Sequence, residues 1–123
     1  MAAVLREPCP AGAQSVLSGI GAVEVSIVSD AVIAEVHEKF LRIPGPTDVI
    51  TFDHGEIVVS ADTAEARARE FGHSPDREIG LYVIHGLLHL HGYDDMAEDD
   101  RRAMHSAQEA ILRDVWPEEE APL

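Results

Sequence analysis

His85-Gly86-Leu87-Leu88-His89-Leu90-His91-Gly92-Tyr93-Asp94-Asp95 is the stretch that decides the reading of this chain. It closes a segment that is apolar almost all round, through Ile79, Leu81, Val83, Ile84, Leu87, Leu88 and Leu90. That pattern predicts a helix over 76–91, buried at the centre of its domain. On a helix, residues i and i+4 project from one face, so His85 and His89 can bind one metal ion from a rigid support. Gly92 ends the helix and reverses the chain. Asp95, three residues on, then swings back to offer a carboxylate. Two nitrogens, one oxygen and an open fourth position make a catalytic zinc site rather than a structural one. Histidine pairs at this spacing also occur on exposed or purely structural helices. Inside an apolar helix, though, an unpaired imidazole is costly to bury. Asp94 competes with Asp95 for the third place, and His91 reads either as an outer group behind the ligands or as exposed.

The spacing H-x-x-x-H-x-x-G-x-x-D is that of the metzincin zinc helix with two substitutions. Asp95 stands where the last histidine would be, and carboxylate oxygen is a sound zinc ligand. More telling, Gly86 follows the first histidine, where metzincins carry the glutamate that serves as general base. A peptidase without that base needs another, and the sequence offers no obvious one. Phosphodiester cleavage asks for less: an activated water and positive charge on the phosphoryl oxygens. Gly86 moves the reading from peptide to phosphodiester.

At 123 residues the chain has room for one domain, and 46% hydrophobic with 26% charged residues is an ordinary globular composition. No run approaches ~18 apolar residues, so no membrane span is expected. The start, MAAVLREPCP, lacks the pattern of a secretory signal. A single cysteine, Cys9, excludes an internal disulfide and a cysteine zinc cluster. The expectation is a reduced, cytoplasmic protein. Its net charge is −14, and residues 94–123 hold ten acids against three arginines. Such a surface repels nucleic acid at long range, which argues against a general high-affinity binder and against DNA. A small site handling RNA locally is compatible with it.

Outward from the histidine helix the chain shows no repeat and no linker. The segment up to about Gly21 is weakly patterned, with a short helix expected at 13–17. Alternation from Val23 puts Val23, Val25 and Ile27 on the inner face of a half-buried strand. Ser29 and Asp30 suit the N-cap of a helix over 31–41, where Val32, Ile33, Val36 and Phe40 recur at helical spacing. Pro44-Gly45-Pro46 forces a loop. Apolar runs at 48–52 and 56–60, joined by Asp53-His54-Gly55, predict a hairpin. An alanine- and glutamate-rich helix over 61–71 ends at Gly72, and an amphipathic helix over 97–116 precedes an acidic tail from about 117. The whole predicts one α+β domain: a small mixed sheet covered by helices, zincin-like, with the metal-binding helix at its centre.

The histidine stretch also resembles the signature of the YbeY endoribonucleases, whose pattern runs H-G-x-L-H-L-x-G-Y-D-H. Pro46-Thr47-Asp48-Val49-Ile50-Thr51-Phe52 is similar to that family's P-T-D-V-L-S-F, and Gly55-Glu56-Ile57-Val58-Val59-Ser60 to its G-D-I-x-I-S. The resemblance runs over about residues 23–115. It implies one zinc ion on His85, His89 and Asp95, and a metal-dependent endonuclease acting on single-stranded RNA in 16S rRNA 3′-end maturation and ribosome quality control.

Three departures from the family pattern stand out. The third ligand is Asp95 instead of histidine, which bears on metal preference. The arginine and lysine that the family carries before T-D-V are replaced by Leu41 and Ile43, leaving Arg42 as the candidate catalytic cation. The N-terminal portion is shorter than usual. Ser60 is a candidate for pairing with substrate or for capping the next helix, and Tyr93 for packing on the turn or stacking on a base. The alternating strand at 56–59 would offer substrate an exposed edge beside the metal. The acidic surface calls for docking through the small ribosomal subunit or a protein associated with it. Two other readings stand beside the nuclease: a non-catalytic, zinc-stabilised ribosome assembly factor, and a metallopeptidase.

Overall fold

Glu56–Ser60 is the most buried strand of the chain, and the architecture is built around it. A computed structural model describes residues 1–116; the acidic tail expected from about 117 lies outside the described residues. In chain order the elements are α1 (Ala2–Leu5), a 3-10 turn (Leu17–Gly19), β1 (Glu24–Val28), α2 (Asp30–Leu41), β2 (Val49–Phe52), β3 (Glu56–Ser60), α3 (Ala61–Phe71), α4 (Pro75–Leu90) and α5 (Glu98–Val115). β3 pairs with β1 in parallel and with β2 antiparallel, so the sheet order is β1-β3-β2. Side chains of a strand alternate between faces. Ile57 and Val59 enter the core shared with α4 and α5, while Val58 packs with Ile50 and with Ile33 of α2. A strand covered on both faces must be apolar throughout, and Ile57-Val58-Val59 is.

The α+β expectation holds, and so does the central place of α4, which packs against α1, α3, α5, β2 and β3. Ser74 starts α4 by accepting the Arg77 N–H at 3.2 Å, with Pro75 in the first turn, where a missing N–H costs nothing. The same turn buries Glu78, whose carboxylate accepts the His73 Nε2–H at 2.5 Å. Two turns on, Gly86 lets the helix settle on the sheet. A Cβ there would lie 2.9 Å from both Ile57 Cδ1 and Thr51 Oγ1. Van der Waals contact needs at least half an ångström more. The helix sits where it does because position 86 has no side chain.

Three expectations need correction. Val25 and Ile27 are 41% and 55% exposed rather than buried. In register beside Ile57 and Val59 they point to the α4 side of the sheet, but α4 rests on β2 and β3 and leaves the β1 edge open. The strand at 56–59 is no exposed edge either, because β1 and β2 occupy both its sides. No helix forms at 13–17. The local structure there is the 3-10 turn at Leu17–Gly19, which buries Leu17 completely, and α1 was not foreseen. The hairpin of β2 and β3 around Asp53–Gly55 and the Ser29 cap of α2, which accepts the Val32 N–H at 3.2 Å, are as expected. No helix among the described residues is long and apolar enough to cross a membrane.

Candidate metal centre and the cleft around it

α4 carries His85 and His89 with their Nε2 atoms 3.1 Å apart. Asp95 Oδ2 completes a triangle, 3.7 Å from His85 Nε2 and 3.6 Å from His89 Nε2. A tetrahedral ion with bonds of 2.0–2.1 Å has ligand–ligand edges of roughly 3.3 Å. The three atoms therefore fit one face of such a tetrahedron, and the cluster could hold a metal ion. The side chains are 27%, 29% and 40% exposed, which leaves the fourth direction open to solvent.

The far side of each imidazole is held as well. His85 Nδ1–H donates to Gln108 Oε1 at 2.9 Å, and His89 Nδ1–H donates to the Tyr93 carbonyl at 3.0 Å. With the proton on Nδ1, both Nε2 lone pairs are left for the metal. Gln108 went unnoticed in the sequence. It lies 13 residues past Asp95 on an ordinary amphipathic helix, and only the packing of α5 on α4 brings it here. Gln108→Leu is expected to weaken binding of a divalent metal ion by 10- to 100-fold, the usual cost of losing such a partner. Competition with a fluorescent chelator measures the shift.

Asp95 is brought back by a tight helix end. The Gly92 N–H reaches the His89 carbonyl at 3.1 Å and the Tyr93 N–H the Leu88 carbonyl at 2.9 Å, a Schellman turn. Gly92 has φ 102°, and a Cβ there would meet Cys9 Sγ and Ala13 Cβ at 3.1 Å. Asp94 faces away and accepts the Met96 N–H at 3.2 Å, so Asp95 alone of the two acids joins the cluster. His91 is buried and is not part of the cluster. It is 5% exposed, its Nε2–H donates to the Glu7 carbonyl at 2.7 Å, and Nδ1 accepts from the Ser15 hydroxyl at 2.7 Å. Tyr93 donates its hydroxyl to the Pro8 carbonyl at 3.1 Å. Burial first, then the nearby Glu7 and Cys9, raise its pKa. These bonds tie the N-terminal segment over the turn that carries Asp95. In the core, burial and then Glu78 raise the pKa of Tyr82 far out of the working range.

The cluster forms one end of a cleft of about 680 Å³. Its wall opposite α4 is β2, through Val49, Ile50 and Thr51, with Asp48 and Asp53 at either end and Leu41 and Met96 at the rim. The strand beside the metal ligands is therefore β2. Ser60 is not there. It is fully buried, donates to Asp30 Oδ1 at 2.5 Å and accepts the Thr63 N–H at 3.1 Å as the N-cap of α3, so its hydroxyl has no face left for substrate. Tyr93 lies behind the ligands and contributes through its carbonyl. Arg42 caps α2 in the left-handed conformation (φ 59°, ψ 31°) and is exposed; its neighbour Leu41 lines the cleft.

A small open sheet, a central helix and a His-His-Asp cluster that could hold a metal ion at a cleft define a candidate metal-site class of α+β domain. The comparisons narrow this. The profile of the family described as Endoribonuclease YbeY matches residues 9–115. A Heliobacterium modesticaldum protein named Endoribonuclease YbeY is 35% identical, over 73% of this chain and 68% of its own length. One of the same name from Bacillus pumilus is 36% identical, over 75% and 70%. A Thermotoga maritima protein solved in solution superposes with a TM-score of 0.61 at 35% identity, covering 84% of this chain and 75% of its own. The chain belongs to the YbeY endoribonuclease family.

Proposed function

We propose that this chain is a zinc-dependent endoribonuclease that cuts single-stranded RNA. It works in the cytoplasm, in maturation of the 16S rRNA 3′ end and in ribosome quality control, docked on the small ribosomal subunit or on proteins associated with it. The observation that carries this reading is the His85, His89 and Asp95 triangle, with both Nδ1 atoms already committed, in a chain of this family. A zinc ion held there would supply Lewis acidity to the scissile phosphate and lower the pKa of water at the open position. Gln108 and the Tyr93 carbonyl keep the imidazoles in the required tautomer. β2 offers an extended wall along which a single strand can lie. Arg42, beside Leu41 at the rim, is the candidate to stabilise charge that develops on phosphoryl oxygens. A surface of net charge −14 gives little general affinity for RNA, which is why docking on the ribosome belongs to the proposal.

The test is cleavage of an end-labelled single-stranded RNA by zinc-loaded protein, with the same sequence annealed into a duplex beside it. Cutting of the single strand alone, stopped by chelator and restored by zinc, is the expected outcome. Cutting that persists in chelator overturns the zinc dependence. No cleavage of free RNA or of ribosomal particles overturns the nuclease.

A further inference from the structure

The metal cluster opens on a second side. His85 and Asp95 also border a hollow of about 150 Å³ whose remaining walls are Arg101, Met104, His105 and Gln108 of α5. Arg101, His105 and Gln108 are spaced four and three residues apart, so they share one face of the helix. Gln108 is committed to His85. Arg101 is paired with Glu98 at 3.1 Å, with both side chains more than half exposed. Such a pair contributes little in water and is readily exchanged for a better anion.

We propose that this hollow is a subsite for a backbone phosphate of single-stranded RNA next to the bond being cut, with Arg101 as its cation and His105 as a further donor. The proposal rests on the endoribonuclease reading of the same centre. The two openings differ in size by more than fourfold, about 680 Å³ against about 150 Å³. A nucleoside belongs in the larger and a group the size of a phosphate in the smaller. Charge points the same way. The chain has nine lysines and arginines against 23 acids, so a polyanion must be gripped by cations at the site itself. Arg101 borders a space that two of the metal ligands also border. Its guanidinium can hold two phosphate oxygens at once, which Glu98 does not require of it.

Two readouts test this: steady-state cleavage by the zinc-loaded protein, and fluorescence anisotropy of a labelled RNA hexamer on chelator-treated protein across a salt series. Arg101→Gln is expected to raise KM and Kd roughly tenfold, the size of one charge-assisted contact, with kcat little changed. The slope of log Kd against log salt should fall by about 0.7, the share of one phosphate on a single strand. Arg101→Lys should retain most of the affinity. Arg113→Gln makes the same charge change on α5 at a separate hollow against α1, and should leave both readouts unmoved. Equal effects of Arg101→Gln and Arg113→Gln, or none from either, overturn the subsite while leaving a cleaving protein a nuclease. Binding that depends on Arg101 in a protein that does not cleave keeps Arg101 as an RNA-phosphate contact but overturns the nuclease, and with it the place of that contact beside a bond being cut. Absence of RNA binding overturns the subsite whatever the cleavage.

Discussion

His89→Ala is expected to lower zinc-dependent RNA cleavage by about 10³-fold or more. The ion contributes several kcal/mol of charge stabilisation, and each 1.4 kcal/mol is a factor of ten. Removing one of three protein ligands takes that contribution away. The fold should survive, because the His89 side chain is 29% exposed and its Nδ1 partner is a backbone carbonyl that water can serve instead. The second signature is thermal. If zinc is the ion, its binding to the native state should raise Tm of the wild-type protein by mass action, and that increment should vanish in the variant while the metal-free Tm moves little. Cleavage at the wild-type rate by identically purified His89→Ala would mean a contaminating nuclease. A retained zinc increment would mean that the ion binds elsewhere.

Gly86→Glu, which installs the residue metzincins use as general base, is expected to abolish folding at 37 °C. The new Cβ would meet Ile57 and Thr51 at 2.9 Å, and the carboxylate beyond it would be driven between α4 and the sheet. Overpacking alone costs about 1–3 kcal/mol, and an unpaired buried carboxylate adds several more. Against a total stability of about 5–15 kcal/mol, that is most of the margin. Gly86→Ala brings the same Cβ contacts with Ile57 and Thr51 but no carboxylate, and recovers up to ~1 kcal/mol of helix propensity, so it should fold with Tm lowered by a few degrees. Circular dichroism melts decide both. A folded Gly86→Glu protein with wild-type Tm would show that α4 is not seated at this distance. The same contact explains why peptide hydrolysis by a glutamate at this position is closed to the chain.

The metal cluster was legible in the sequence because every element of it is local. The i, i+4 pair, the glycine turn and the third ligand lie within eleven residues, and each follows from backbone geometry. β3 was recognised as a strand but misplaced in the sheet, because alternation says which face is apolar and nothing about which neighbours pair with the edges. Val25 and Ile27 differ for the same reason: their pattern is that of a buried face, yet α4 rests on β2 and β3 and leaves them 41% and 55% exposed. Of the two roles open to Ser60, substrate pairing and helix capping, the structure leaves the cap, because its full burial and its bond to Asp30 depend on a contact 30 residues apart that the local sequence does not show. Gln108, Arg101 and His105 carry no local signal. Only the docking of α5 across α4 gives them a role.

The cluster is built from unequal parts. Two ligands ride on the best-packed helix of the molecule, while the third hangs from a turn fastened by three hydrogen bonds to residues 7, 8 and 15. The imidazole pair would then be a standing half-site, and the carboxylate a latch expected to open with the N-terminal segment to which its turn is bonded. Exchange of the ion with chelators or competing metals should follow the local breathing of that segment rather than global unfolding. A bulky fusion at the N-terminus would then be felt as a faster loss of zinc long before it registered as a lower melting temperature.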